Sequence, residues 1–477
     1  MNTEVDLGGA SRAMQRSISA LKSAGHDVIL LTLGDGDRSE AHIVRVDHDW
    51  RGPVERRARV AHFFYNGRYV DRNRTELSDT LFWIPAVGRD VADVVEALDL
   101  DVLNIHWTSH FLSLPSLKQL MDLPVPVVFT LHDMAHLTGG CHYPAGCEAF
   151  QAECRPCPQL QFDPLAIPRD VRRSRGRIYA AGRPWAIAPS PWMADQARIS
   201  GLFAPDHVVC VPNALDTEVF SPRSRERARE ALGISPDAKI ILAGAMDNRE
   251  RRKGFDLLAE ALERVVKRFD GPITVICLGA NPTDLELPGL EVVKTGYIDD
   301  DERLIEAYGA ADVTVIPSRE DNLPNIMLES MSCGTPVAAF AVGGLGDTIQ
   351  PGRNGALASP EDPEALATAI LSALDRAGEM RPEARRSALA LADPPHHASR
   401  YVEVFSAARE AAGLPGIQTG LDPARSHAPM ATQSRPVNLE VFGGVAAEVI
   451  ITLRAILAEI ELGVRKVRRK LSWGRES

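Results

Sequence analysis

Residues 318–336 read S-R-E-D-N-L-P-N-I-M-L-E-S-M-S-C-G-T-P, and they say more about function than the rest of the chain. The apolar run at residues 313–317 reads as a buried strand entering a polar turn. A helix is expected from about Pro324, with Glu329 on its first turns. A strand-to-helix junction at the carboxyl edge of a parallel sheet is where open α/β proteins hold ligands. The helix N-terminus leaves N–H groups free for an anion. Asp321 and Glu329, eight positions apart, are acceptors suited to hydroxyl groups.

The same alternation repeats on either side. Further strands are expected at residues 240–243, 273–278, 291–294 and 337–340, with helices between them. In the first half a helix carrying Ala13, Met14, Ile18 and Leu21 leads to strands at 28–33, 102–106, 126–131 and 185–189. Residues 51–89 are Arg-rich and poorly periodic, and read as an elaborated loop region. The opening Met1-Asn-Thr-Glu-Val-Asp-Leu-Gly-Gly9 enters its glycine turn almost at once, so the usual first strand is either missing or very short.

The expected class is α/β, two Rossmann-like domains facing a cleft, with a C-terminal helical tail. Pro212 and Asn213 mark a boundary, which gives a first domain over 1–207 and a second over 208–394. A crossover helix follows at 395–412, then a Gly/Pro/Ser/Thr-rich linker at 413–436 and an amphipathic basic helix at 437–477. A chain of 477 residues is too long for one ordinary domain. A net charge of -11 weighs against nucleic-acid binding. The first residues hold no apolar signal-peptide core, so the reducing cytoplasm is the expected compartment.

The acidic pair, its spacing and the flanking Gly334-Thr-Pro-Val337 resemble the signature of retaining GT-B glycosyltransferases of family 4. The resemblance runs over roughly residues 2 to 410. It implies that Glu329 holds a nucleotide ribose, while Asp321, with the backbone at Asn322 and Leu323, holds a donor sugar. Family members usually carry Glu at the first acidic position, so the register falls on Asp321 or slips to Glu320. Phe129-Thr-Leu-His132-Asp-Met and Thr138-Gly-Gly-Cys-His-Tyr143 are similar to a subgroup acting in bacterial exopolysaccharide or colanic-acid-type assembly. There the strand-end His lies near the reacting carbon, which makes His132 a catalytic candidate and His106 its runner-up.

The resemblance also assigns the cations. Lys253 stands where a cation neutralises the leaving diphosphate. The usual companion Arg is replaced by Ala245, which leaves Arg252, or less favourably Arg249, for that role. Gly8 and Gly9 permit close backbone approach to a ligand, by the resemblance the donor phosphate or the acceptor, and Gly343 and Gly344 are expected to line the same donor cleft. The segment Gly296-Tyr-Ile298 is similar to the one that meets the nucleobase. The triplets at residues 35–37, 99–101 and 299–301 look like metal-binding D-x-D motifs but fall in turns or helix starts, so no catalytic metal is expected.

Cys141, Cys147, Cys154 and Cys157 crowd one loop and suggest a structural zinc site, with two disulfides as the alternative. In the tail, Val449, Leu453, Ile456, Ile460, Val464, Val467 and Leu471 form one stripe that ends in a basic cluster at 465–470. That suits an anionic membrane surface, a partner helix, or packing on the protein's own body. The expected activity is transfer of a hexose from an NDP-sugar, with retention, to a glycan or lipid-linked acceptor in cell-surface polysaccharide synthesis. The enzyme would be cytoplasmic, with the basic tail able to hold it peripherally on the inner leaflet of the cytoplasmic membrane. An NDP-sugar 2-epimerase or a non-catalytic NDP-sugar scaffold are the other classes that share this pattern.

Overall fold

The computed structural model describes residues 1–3, 8–33, 42–46, 60–78, 80–280 and 287–417. In the first half, β1 (Leu30–Leu33) pairs in parallel with β2 (Ile43–Val46). The strands β3 (Leu103–Ile105), β4 (Val127–Thr130), β5 (Trp185–Ala188) and β6 (Val208–Cys210) form a second parallel set in that order. Residues 1–3 join the two sets. The Asn2 N–H donates to the Leu31 carbonyl at 3.1 Å, and the His106 N–H donates to the Met1 carbonyl at 2.9 Å. Three residues thus occupy the slot of the first strand, between β1 and β3.

The second half holds one parallel sheet of six strands, ordered β9-β8-β7-β10-β11-β12. These are β7 (Lys239–Gly244), β8 (Ile273–Leu278), β9 (Leu290–Gly296), β10 (Val313–Ile316), β11 (Val337–Phe340) and β12 (Gly355–Ala358). The order reverses between β7 and β10, which makes their carboxyl ends the crevice of a doubly wound sheet. Both strands are buried where they pair, as expected for strands covered on two faces.

The helix Phe255–Arg268 follows β7 because Leu258, Ala261, Leu262 and Val265 recur at helical spacing and bury one face. Gly254 starts it at φ +69, and a Cβ there would lie 1.9 Å from the Pro317 carbonyl oxygen. Only glycine lets this turn close on the end of β10. That contact brings Lys253 to the acidic turn. The helix Ala377–Ala392 packs on the second domain, with Ala384 and Ala388 in the core beside Met327 and Leu328. The helix Pro394–Ala411 then returns to the first domain, where Tyr401, Val404 and Phe405 pack with Val128 and Ile187.

Several expectations change. Val208–Cys210, read as the start of the second unit, is the edge strand of the first sheet, because it pairs with β5. Within the presumed loop region 51–89, Phe63–Val70 is helical and buries Tyr69 and Val70. The strands β2 and β12 were not anticipated. The linker beyond Ile417 and the amphipathic helix at 437–477 lie outside the described residues. Among the described residues no helix is long and apolar enough to cross a membrane.

Candidate active site

After β10, residues 318–324 form the turn that begins the helix Asn325–Ser332. Asp321 is buried in this turn, where its Oδ1 accepts from the Asn322 N–H at 3.2 Å and three side chains meet its carboxylate. Lys253 Nζ lies 2.7 Å from Oδ2, Ser318 Oγ donates to the same oxygen at 3.1 Å, and Arg252 Nη1 lies 3.4 Å from Oδ1. Burial alone would raise the Asp321 carboxyl, but Lys253 and Arg252 outweigh it and hold it below the ordinary carboxylate range. Glu320 points elsewhere: its Oε2 accepts from the Ala145 N–H at 2.9 Å, in the first domain. Asp321, not Glu320, is therefore the acid that meets the cations.

Glu329 is buried on the same helix. Its Oε1 pairs with Arg16 Nη2 at 2.7 Å, and its Oε2 accepts from the Tyr308 hydroxyl at 2.7 Å. Arg16 comes from the helix Gly8–Ser23 of the first domain, so this carboxylate is fixed from both sides of the cleft. A carboxylate has about four lone-pair positions, which leaves acceptor capacity for a ligand hydroxyl.

His132 follows β4, on the facing wall. Its Nε2 lies 2.9 Å from His106 Nδ1, so one neutral ring donates to the other. Asn322 ties this wall to the acidic turn. Its amide donates to the Leu131 carbonyl at 3.0 Å and the His132 carbonyl at 3.1 Å, and its Oδ1 accepts from Ser190 Oγ at 2.7 Å. Asp133 accepts from His142 Nδ1 at 2.6 Å, and His142 Nε2 meets Ser109 Oγ at 2.9 Å.

The two walls enclose a cleft of about 380 Å³, within the size range of small-molecule sites. Gly8, Gly9, His132, Arg252, Lys253, Asp321, Asn322, Leu323 and Glu329 all line it, with Tyr297 and Ile298 at one end. A larger cavity of about 460 Å³ lies by the N-terminal ends of β1 and β3, among Leu30, Leu31, Leu103 and Phe405. Its lining holds the paired Arg409 and Asp101, 3.0 Å apart, with Asp27 and Asp99, but no two cations converging on a buried acid, so chemistry favours the cleft.

Gly343 and Gly344 do not line the cleft. A Cβ on Gly343 would lie 1.8 Å from the Asp321 carbonyl oxygen, and one on Gly344 would lie 2.1 Å from that of Asn322. They back the acidic turn and let β11 approach it. Sequence reasoning missed Arg16, Tyr308, Tyr143 and the bridging use of Asn322, because each acts on a residue distant in the chain. The four loop cysteines line one small pocket and are free thiols, so no disulfide forms. Among the described residues, no group of three or more His, Cys, Asp or Glu side chains is arranged to hold a metal ion. Two of the sulfurs instead accept backbone N–H groups: Cys154 Sγ from Gly139 at 3.1 Å and Cys147 Sγ from Ala149 at 3.4 Å.

Burial lowers His132, His136 and His397 to about 4 each. His132 is therefore neutral at physiological pH. Between pH 6.5 and 4 the unfolded chain binds protons that the folded sites refuse. Stability then falls as pH drops through that window, by on the order of 2 kcal/mol per histidine at pH 5. Urea midpoints recorded from pH 7 to 5 should fall steadily, and His397→Gln, which lies outside the cleft, should flatten the slope. An unchanged wild-type midpoint over that range would contradict the assignment.

Residues 7–219 match the family model described as Glycosyltransferase Family 4, and residues 237–376 match the one described as Glycosyl transferases group 1. Each half of the chain thus matches a glycosyltransferase domain model. Curated relatives include a D-inositol 3-phosphate glycosyltransferase of Geodermatophilus obscurus, 36% identical over 201 residues (39% of this chain, 44% of the relative). Another, from Corynebacterium urealyticum, is 35% identical over 210 residues (40% of this chain, 47% of the relative). These matches span about half the length of the relatives or less. Among solved structures, Anabaena HepE in complex with UDP superposes with a TM-score of 0.58 at 16% identity, covering 85% of this chain and 98% of that one. Sucrose-phosphate synthase from Thermosynechococcus elongatus gives 0.57 at 20% identity, covering 85% and 94%. The fold is GT-B.

Proposed function

We propose that this protein is a retaining glycosyltransferase that moves a sugar from a nucleotide diphosphate to a glycan or lipid-linked acceptor, in the assembly of a cell-surface polysaccharide. The observation that carries this reading is the convergence of Lys253 and Arg252 on Asp321 at the switch point of the second sheet, opposite His132. On this reading the base lies against Tyr297 and Ile298, the ribose hydroxyls meet Glu329, and the diphosphate lies by Arg252 and Lys253. The sugar then faces Asp321 and His132, and the acceptor approaches along the Gly8–Gly9 turn and Trp107.

The chemistry follows from where charge grows. As the bond from the anomeric carbon to the phosphate oxygen breaks, negative charge collects on the diphosphate, beside two fixed cations. The acceptor hydroxyl attacks the same face, its oxygen bonds to the anomeric carbon, and its proton passes to the departing phosphate oxygen. Asp321 is a poor nucleophile for a double displacement, because Lys253 and Ser318 already engage its Oδ2. His132, neutral, is suited to donate or accept a hydrogen bond at the sugar without adding charge.

A thermal-shift screen of nucleotide sugars tests donor binding before the acceptor is known. The matching donor at a hundredfold excess over Kd should add about 2.7 kcal/mol and raise the transition by a few degrees. Glu329→Gln should fold but lose most of that shift. A wild-type transition that ignores every nucleotide sugar would overturn the reading. Nucleotide release that requires a lipid or glycan extract separates a transferase from an epimerase or a scaffold. Replacing the extract with a phosphorylated polyol tests the acceptor type that the relatives' names suggest.

A further inference from the structure

The cysteine-framed loop of the first domain reaches the charged turn of the second at two points. The Tyr143 ring lies against the Arg252 guanidinium, with Cζ 4.1 Å from the ring centroid. Two residues on, the Ala145 N–H donates to Glu320 at 2.9 Å. Ala145 makes that bond from φ +51, a left-handed conformation that non-glycine residues adopt only when the surroundings require it.

The loop is braced so that the ring cannot drift. Gln159 Nε2 donates to the Tyr143 carbonyl at 2.7 Å. The neighbouring His142 is held by Asp133 and Ser109, and its N–H donates to the Leu81 carbonyl at 3.0 Å. On the other side, Arg252 Nε donates to Glu250 at 2.8 Å and Nη1 donates to the Glu320 carbonyl at 2.9 Å. Those bonds fix one edge of the guanidinium, and the Tyr143 face fixes its plane. Both side chains line the cleft.

We infer that Tyr143 is a positioning residue for Arg252, so that a loop of the first domain completes the diphosphate site of the second. The inference rests on the donor reading above. A guanidinium held in plane presents its N–H groups to phosphate oxygens in a set direction. Without the ring it would rotate and hydrate, and affinity for the charged part of the donor would fall. Donor affinity therefore depends on the two domains being closed on each other.

The test compares Tyr143→Phe and Tyr143→Met with wild type by calorimetric titration with the nucleoside diphosphate of the donor found in the screen, and with its uncharged nucleoside. Tyr143→Phe keeps the aromatic face and should bind the diphosphate within about threefold of wild type. Tyr143→Met keeps bulk but removes the π face, and should weaken diphosphate binding roughly five- to thirtyfold while nucleoside binding stays unchanged. In an Arg252→Ala background, Tyr143→Met should add no further loss. Equal losses for nucleoside and diphosphate would mean a merely structural role and overturn the inference. So would a Tyr143→Met variant that binds like wild type, or a full loss in Tyr143→Phe. Should Tyr143→Met not fold, Tyr143→Leu takes its place in both Arg252 backgrounds: wild-type diphosphate binding, or a loss that persists without Arg252, overturns the inference. A wild type that binds no nucleotide at all removes the donor reading itself, and is recognised before any variant is made.

Discussion

Lys253→Met is expected to lower kcat for nucleotide-sugar turnover by two to three orders of magnitude, the scale on which a single preorganised charge acts at a developing anion. Lys253 Nζ lies 2.7 Å from Asp321 and lines the cleft, so its position is set before any donor arrives. The substitution also leaves a buried carboxylate with Arg252 at 3.4 Å as its remaining cationic partner. Breaking one partner of a buried pair is destabilising by roughly 3–5 kcal/mol at most, less here because Arg252 stays. The sign with pH follows from Asp321, whose folded carboxyl is held low by these cations. The pair's contribution is present in full above the unfolded carboxyl value, about 3.9, and is lost as pH falls through the lower folded value. The stability gap between variant and wild type should then be widest near neutrality and narrow in acid. Steady-state rates of nucleotide release and urea midpoints give both readings. A variant within tenfold of wild-type kcat would remove Lys253 from the reaction.

His132→Ala should reduce kcat by at least about a hundredfold, the usual scale for losing a positioned group at the reacting centre. The backbone carbonyl that Asn322 grips is retained in this variant, so the domains should stay joined and the melting transition should move little. Because burial keeps His132 near 4, its protonation cannot shape the rate between pH 6 and 8. The wild-type profile should be flat there on its account. His106→Gln should act more weakly, since His106 reaches the cleft only through His132. If His132→Ala keeps its activity while His106→Gln loses it, the two roles are exchanged.

What could be read from the sequence was local. The strand at 313–316, the polar turn and the helix carrying Glu329 are continuous in the chain, and their apolar period and proline punctuation suffice. The strand Gly355–Ala358 escaped notice because Gly-Ala-Leu-Ala has weak strand propensity; it forms because glycine permits a close approach to Val337, where a Cβ would lie 2.1 Å from the carbonyl oxygen. The site's cross-domain contacts had no local signal. Asn322 bonds a carbonyl 190 positions away and Arg16 meets Glu329 across 313. Gly343 and Gly344 were read as lining the cleft, but they lie against the back of the turn, at the Asp321 and Asn322 carbonyls. The cysteine spacing suggested a tetrahedral centre, which depends on side-chain directions that spacing does not specify.

The Asn322 amide grips both residues at the end of β4, while Ser190 holds its oxygen. This places a rivet at the floor of the cleft. Any gape between the lobes that preserves these bonds must swing about that rivet. Displacement then grows with distance from it, largest at the rim and smallest between Asp321 and His132. A bulky ligand would therefore enter at the rim, while Asp321 and His132 keep their spacing as the lobes open and close.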